Sequence, residues 1–230
     1  MARNALGTVL VTGGASGLGA AVADSVRRAG GIPIVLDRAR PAAGIAYELV
    51  DLADTRSAEQ AVARAAERCG GLDAVVTAAG IDFPGKLADV PAAEWERVVA
   101  VNLLGTAAVV RAALPHLERA TGRIVTIGST LGLRALSEAT AYCASKFGVV
   151  GFTRALAAET AGRVAVTLVI PGGMRTAFFN GRPERYTPAP DAKLNDPEDV
   201  AETVLFVLRQ PSGCEVRELV VAPSTETSWP

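Results

Sequence analysis

Thr8-Val9-Leu10-Val11-Thr12-Gly13-Gly14-Ala15-Ser16-Gly17-Leu18-Gly19 is the stretch that decides the fold. A short β-branched run breaks into a glycine cluster and opens, from Leu18, into an Ala-rich segment of helical period. Glycines at such a turn let the backbone double back and approach a pyrophosphate closely. The N–H groups and positive end of the following helix then supply an anion site. A glycine cluster alone is weak, because any tight strand-to-helix turn can use one, so its meaning depends on the rest of the chain.

Beyond the glycine turn the chain alternates. Candidate strands are Thr8–Val11, Ile32–Leu36, Ala46–Val50, Ala74–Thr77, Arg123–Ile127, Ala165–Ile170 and Glu218–Val221. Most are nearly continuous in apolar residues, the mark of strands buried on both faces. Between them the period becomes helical near Leu18–Ala29, Thr55–Cys69, Ala92–Leu117, Thr140–Ala161 and Pro197–Leu208. The last begins with Asp196 as a candidate N-cap and Pro197 in the first turn. The pattern predicts one α/β domain over residues 1–230, a Rossmann-type doubly wound fold whose seven-stranded parallel sheet is flanked by helices. The long irregular stretch 172–195, rich in Pro, Gly and Arg, comes after the sixth strand. It therefore belongs at the carboxyl edge, where ligands bind in such sheets, and is a candidate substrate loop or lid.

Asp37 ends the second strand, 18 residues beyond Gly19. A carboxylate there accepts hydrogen bonds from the hydroxyls of an adenosine ribose and repels a 2′-phosphate. Taken singly, Asp37 reads as a solvated strand-end acid; after a glycine turn at this separation it points to dinucleotide binding. Arg38 opens an alternative, since a guanidinium pairs with a 2′-phosphate. Asp37 comes first, however, and Ser16 puts no basic charge inside the turn, so NAD is the expected cofactor and NADP the alternative. Asp51, in Val50-Asp51-Leu52, either caps an adenine edge or is a plain turn acid.

Composition excludes several other chemistries. The 230 residues carry 23 basic and 24 acidic side chains, one His and three Cys. A net charge of −1 gives no broad basic field for nucleic acid or an anionic membrane. With His116 alone, a multi-histidine metal site is impossible, and no metal is expected. Cys69, Cys143 and Cys214 are odd in number and widely spaced, as reduced intracellular thiols are. The start MARNALGTVLVTGG has no full apolar export region, and the longest apolar stretch, Val98 to Val110, is too short for a bilayer. A cytoplasmic, soluble protein is expected.

Tyr142-Cys143-Ala144-Ser145-Lys146 lies in a predicted helix, so Tyr142 and Lys146 share a face one turn apart. A free phenol has a pKa of about 10, and a neighbouring ammonium pulls that value down towards a useful general base. By itself this spacing also fits an ordinary amphipathic helix. Ser129 stands 13 residues before Tyr142, directly after a strand, and Asn102 falls mid-helix, where a buried amide needs a partner.

With these residues the chain resembles the short-chain dehydrogenase/reductase family, from about Gly7 to Val221. The resemblance implies that Tyr142 exchanges the proton at the substrate oxygen while hydride passes to or from a nicotinamide. Lys146 would hold the nicotinamide ribose and lower the Tyr142 pKa, Ser129 would bond the substrate oxygen, and Asn102 would hold a water that relays protons. The resemblance puts the cofactor on Gly13, Ser16, Gly17, Leu18 and Gly19, then past Asp37, Arg38, Asp51 and Leu52. It continues along Ala79 and Gly80 to Tyr142 and Lys146, and ends on Pro171, Gly172 and Thr176 of a PGxxxT turn. A homodimer or homotetramer through the helices Ala92–Leu117 and Thr140–Ala161 is also implied.

Two departures stand out. The family's usual Asn-Asn-Ala-Gly is here Thr77-Ala78-Ala79-Gly80, and the common Asp-Gly-Gly ending is replaced by Arg217-Glu218-Leu219-Val220-Val221-Ala222-Pro223, running on to Trp229-Pro230. The second weakens any assignment to fatty-acid 3-oxoacyl reduction. Phe178, Phe179 and Tyr186, three of only eleven aromatic residues, lie in the 172–195 loop as candidate pocket or lid residues. Arg134, and Arg182 or Arg185 in the loop, could meet an anionic substrate but read better as solvated surface charges, His116 as a surface imidazole near a helix end, and Cys143 as packing. The leading expectation is an NAD(H)-dependent oxidoreductase for a secondary alcohol or ketone. An NADP(H)-dependent ketone or 3-oxoacyl reductase, and a dinucleotide-binding regulator without turnover, are the alternatives.

Overall fold

A computed structural model of the chain describes residues 6–227. The opening residues 1–5 and the closing Trp229-Pro230 therefore lie outside the described residues. Seven strands form one all-parallel sheet: β1 (Thr8–Thr12), β2 (Ile32–Asp37), β3 (Ala46–Leu49), β4 (Ala74–Thr77), β5 (Arg123–Ile127), β6 (Ala165–Pro171) and β7 (Glu218–Val221), in the spatial order 3-2-1-4-5-6-7. The order reverses between β1 and β4, with Thr12 beside Thr77 at the carboxyl end. That switch point is the crevice where doubly wound sheets hold ligands.

The strands are apolar on both faces because helices cover both. Val9 and Val11 face α1 (Gly17–Arg28) and α6 (Pro197–Leu208), while Leu10 between them faces α2 (Thr55–Cys69) and α4 (Thr106–Ala120). Successive side chains of a strand point to opposite faces, so each residue of β1 belongs to one of two cores. Leu10 has no exposed surface. Leu10→Ala is expected to lower unfolding stability by about 2–5 kcal/mol, read as a shift in urea midpoint at unchanged slope.

The predicted helix Ala92–Leu117 is not one regular helix. It comprises α3 (Ala92–Val99), a π-helical turn (Ala100–Gly105) and α4. Gly105 explains where the backbone widens: a β-carbon there would lie 2.8 Å from the Leu52 carbonyl oxygen. As a single run, Ala92–Ala120 is long and apolar enough to cross a membrane by length and composition. An apolar stretch counted only from Val98 to Val110 understates that length. Half of its most apolar stretch is buried inside the domain, as in a core helix.

The other long helix, α5 (Thr140–Glu159), carries the Tyr-Lys pair. The 172–195 stretch contains two short 3₁₀ turns, Ala177–Phe179 and Glu184–Tyr186. Asp196 occupies the N-cap of α6, but its side chain makes no capping bond and lies 3.4 Å from Arg175 instead.

Candidate active site

The glycine turn joins β1 to α1 beneath the switch point. Gly13 has φ +71°, and a β-carbon on it would lie 2.8 Å from Ala79 Cα, so only glycine lets the segment after β4 pack this closely. Thr12 closes the same contact by accepting the Ala79 N–H at 3.1 Å. This bond braces β4 at the segment where the family's amides are missing, although Thr77 Oγ1 itself is buried with no partner among the described residues. At the start of α1 no side chain caps the helix, because Ser16, at the N-cap, makes no capping bond. The first N–H groups of a helix left uncapped in this way suit an anion. Thr176 stands opposite, its Cβ 3.5 Å from where Gly17 would carry a side chain. The PGxxxT turn after β6 therefore meets the glycine turn.

Asp37 Oδ2 accepts the Ala15 N–H at 2.9 Å and Oδ1 accepts the Ala39 N–H at 3.0 Å. The carboxylate ties the end of β2 to the glycine turn, and each oxygen keeps a further lone pair for a ligand. Arg38 is two-thirds exposed, with its Nε 3.7 Å from Asp51. Asp51 is held mainly by Arg97 at 2.6 Å and by the Ala53 N–H at 3.0 Å. Burial works to raise its pKa, but the Arg97 hydrogen bond and the nearby cations outweigh that and hold the carboxyl below its usual range. The side chains of Leu18 and Leu52 are buried in the two cores, which leaves only their backbone for a cofactor.

A cleft of about 440 Å³ opens on the α1 side of the glycine turn, lined by Gly14, Ala15, Gly17, Thr176 and their neighbours. Neither Asp37 nor Tyr142 lines it.

Around Tyr142 the structure brings the expected tetrad together. Ser129, two residues past β5, stands by the Tyr142 hydroxyl and favours its charged form, and its Oγ accepts the Leu131 N–H at 3.1 Å. Lys146 is buried, donates to the Ile127 carbonyl at 2.9 Å, and has its Nζ 5.7 Å from the Tyr142 ring centre. Asn102 sits in the π-turn, almost fully buried. Its Nδ2 donates to the Ile81 carbonyl at 2.9 Å and to Ser145 Oγ at 3.0 Å, while Oδ1 accepts the Ile81 N–H at 2.8 Å. Both donors of the amide are used, leaving one Oδ1 lone pair, so the side chain acts as a brace. Ser145 extends that brace by donating to the Tyr142 carbonyl at 2.8 Å. Sequence reasoning misses Ser145 because a Ser one residue before a Lys carries no signal of its own.

The expected depression of the Tyr142 pKa is not found in the protein by itself. Burial around the hydroxyl pushes the phenol up to about 12, although the residue as a whole is only half-buried; the Ser129 hydrogen bond and the Arg182 cation oppose this, while Asp82 adds to it. Lys146 is driven down to about 8 by burial, and it touches Ile127 rather than the phenol. With its pKa raised in this way, Tyr142 is a protonated donor at neutral pH.

The lysine shift has a consequence for stability. Moving from 10.5 to about 8 corresponds to a folding cost on the order of 3 kcal/mol. The cost is complete below pH 8, where folded and unfolded chains both hold the proton. Between pH 8 and 10.5 the unfolded chain binds the proton more than the folded one, so stability rises with pH. Wild type is expected to gain on Lys146→Met across that window in paired urea titrations. A constant difference between the two would show that the amine is not desolvated.

The 172–195 loop packs onto this site. Phe178 lies 5.7 Å from the Tyr142 ring, and Phe179 meets Phe178 edge-on at 5.4 Å. Tyr186 donates to Glu138 at 2.8 Å, tying the loop to the segment before α5. Arg182 is not the solvated charge its sequence implies. Its side chain is 11% exposed and pairs at 3.1 Å with Asp82, 7% exposed. Its guanidinium covers the rings of Phe178 and Phe179 at 4.4 and 5.0 Å. Arg185 covers Tyr186, and Arg134 reaches the Thr227 carbonyl. His116 pairs with Arg119 near the end of α4, and Cys143 is buried.

Comparison with known proteins agrees with the family and the fold. A family model described as short chain dehydrogenase matches residues 7–187. An uncharacterized oxidoreductase of Staphylococcus aureus (strain MW2) is 33% identical over 226 residues, covering 93% of this chain and 96% of its own. Among solved structures, the ligand-free aldohexose dehydrogenase of Thermoplasma acidophilum superposes with TM-score 0.85 at 25% identity, covering 96% of this chain and 95% of its own. An alcohol dehydrogenase from the archaeon Thermococcus sibiricus, complexed with 5-hydroxy-NADP, has TM-score 0.84 at 24% identity over 93% of this chain and 95% of its own, and supports the fold.

Proposed function

The chain belongs to the short-chain dehydrogenase/reductase family of oxidoreductases, and from that premise we propose that it moves a hydride between NAD(H) and a secondary alcohol or ketone, with Tyr142 as the general acid and base. The observation that carries this reading is the half-buried Tyr142 phenol with the buried Lys146 amine 5.7 Å from its ring centre, and Asn102 and Ser145 bracing the helix behind it. A protein that only bound a dinucleotide would have no use for a phenol held in this way.

The residues at the glycine turn fit a dinucleotide: the uncapped start of α1 suits the pyrophosphate, and Asp37 keeps lone pairs for the adenosine ribose. Lys146 and Thr176 are assigned to the nicotinamide half. When bound, the nicotinamide supplies the hydride for reduction and takes it up in oxidation. In reduction the carbonyl π pair moves onto oxygen and the Tyr142 hydroxyl gives up its proton to it. Ser129 donates to the same oxygen as its charge grows. Oxidation runs in reverse and needs the phenolate, so its rate is expected to climb with pH towards the Tyr142 pKa, while reduction is favoured nearer neutrality. Asn102 is assigned a positioning role.

NADP(H) is the second reading, favoured by one observation: Arg38 is largely exposed beside Asp37 and only loosely paired. We further assign the protein to the cytoplasm, as a homo-oligomer through the α4 and α5 side, where Leu104 and Phe147 are exposed. The test of function is a panel of secondary alcohols and ketones followed by nicotinamide absorbance with each cofactor. Turnover with NAD(H) ahead of NADP(H) is expected. Nucleotide binding with no turnover of any panel member would leave a binding protein instead.

A further inference from the structure

The ending that follows β7 folds back over the carboxyl edge of the sheet. The chain turns at Pro223–Glu226, where the Glu226 N–H donates to the Pro223 carbonyl at 2.9 Å. This turn brings the Glu226 side chain to the segment that leaves β6, and its Oε2 accepts the Gly173 N–H at 2.9 Å. A β-carbon on Gly172 would lie 2.5 Å from the same oxygen and 3.0 Å from Ala222 Cβ, so the acid reaches this backbone only because residue 172 has no side chain. Next to it, Thr227 offers its carbonyl to Arg134 at 3.3 Å. Arg134 follows Ser129 by five residues. The tail therefore spans the exits of β5 and β6, which are neighbours in the sheet.

The segment held in this way joins the two halves of the site. Thr176 meets the glycine turn at Gly17, and Phe178 lies 5.7 Å from the Tyr142 ring. A dinucleotide with its pyrophosphate at the start of α1 and its reacting ring at Tyr142 has to pass along residues 172–178. Their backbone is fixed from two sides. Asn195 donates its N–H to the Gly173 carbonyl at 3.1 Å and accepts the Arg175 N–H at 2.9 Å, which pins the far end of the loop to its start. Glu226 takes the Gly173 N–H, and a carboxylate makes the stronger kind of hydrogen bond to such a donor. Resting on the dinucleotide reading, we propose that Glu226 is a positioning residue whose carboxylate fixes the Gly172-Gly173 turn and so sets where the nicotinamide ring lies against Tyr142. Its action runs through the Gly173 N–H. Hydride transfer is sensitive to such support, because a misplacement of about 1 Å caused from outside the reacting atoms can cost about 10²-fold in rate.

The experiment titrates wild type and Glu226 variants with NADH and with ADP-ribose, which lacks the nicotinamide, and with the 2′-phosphorylated counterparts of both. Glu226→Ala is expected to weaken the reduced dinucleotide about ten-fold and to lower kcat at saturating cofactor by about 10- to 100-fold, with ADP-ribose affinity held within about two-fold. Glu226→Gln keeps an acceptor at the same reach and should bring affinity and kcat back to within about three-fold of wild type. Glu226→Asp keeps the charge but is one methylene shorter, and should behave as the alanine variant does. Equal weakening of dinucleotide and ADP-ribose in Glu226→Ala, or wild-type affinity and kcat in that variant, would overturn the proposal and leave the dinucleotide reading intact. Should Glu226→Ala fail to fold, the other two variants decide, and equal behaviour of Gln and Asp would overturn the proposal. Wild type that binds none of the four ligands would overturn the dinucleotide reading, and the role of Glu226 with it.

Discussion

Tyr142→Phe is expected to lower kcat by about 10³-fold or more while dinucleotide affinity stays within a few-fold of wild type. The change deletes one oxygen and keeps the ring that packs on Phe178, so loop and helix should remain in place. What disappears is the proton that must reach the substrate oxygen as hydride arrives. A thousand-fold loss corresponds to about 4 kcal/mol of barrier. Ser129→Ala should cost less, since it removes a supporting donor and leaves the acid. Rates at saturating cofactor, together with dinucleotide titration by fluorescence, separate the two effects. Full turnover in the phenylalanine variant would remove Tyr142 from the chemistry. A variant that no longer binds nucleotide would instead show the hydroxyl to be structural.

Removing the carboxylate at Asp37 should have the second-largest effect. In Asp37→Ala, the ratio of kcat/KM for NADH over NADPH is expected to fall by about 10²-fold or more, because the like-charge conflict with a 2′-phosphate is lost. Arg38, exposed beside it, then becomes the nearest cation to that phosphate. Asp37 also accepts two backbone N–H groups, so part of the change would come from loosening the glycine turn. Asp37→Asn separates the contributions. It retains an acceptor for one of those donors but not the charge, and should still lose most of the discrimination. If wild type already prefers NADPH, or if the ratio does not move in either variant, Asp37 does not set the cofactor.

The architecture was legible because its signals are local. Apolar runs marked all seven strands to within a residue or so, and Thr55–Cys69 and Pro197–Leu208 coincide with helices over their whole length. Side-chain period alone does not register one widened turn, however. The π-turn at Ala100–Gly105 was therefore hidden, though Asn102 and Gly105 inside it were the residues to question. Asn102, Ser129, Tyr142 and Lys146 were picked out by their spacing; the structure puts Lys146 beside the Tyr142 ring and Asn102 on Ser145 behind it.

The Asp82–Arg182 pair was not legible. Its members are 100 residues apart in the sequence, each looks like an ordinary surface charge, and only the folding of the 172–195 loop over the site brings them together. The direction of the Tyr142 shift has the same origin. A lysine one turn away argues for a lower pKa, but the burial that overrides it depends on packing from distant parts of the chain. Lys146 bonds the Ile127 carbonyl rather than the phenol, a partner that spacing along α5 could not reveal.

Hydride transfer itself is open to direct measurement. Wild-type protein is incubated near neutral pH with NADH deuterated at its transferring position and a mixture of ketones, and the products are read by mass spectrometry. The expected result is an alcohol carrying one deuterium on the carbinol carbon, absent when Tyr142→Phe replaces wild type. If NADH is bound but no product carries deuterium at that carbon, the protein is not an alcohol–ketone oxidoreductase.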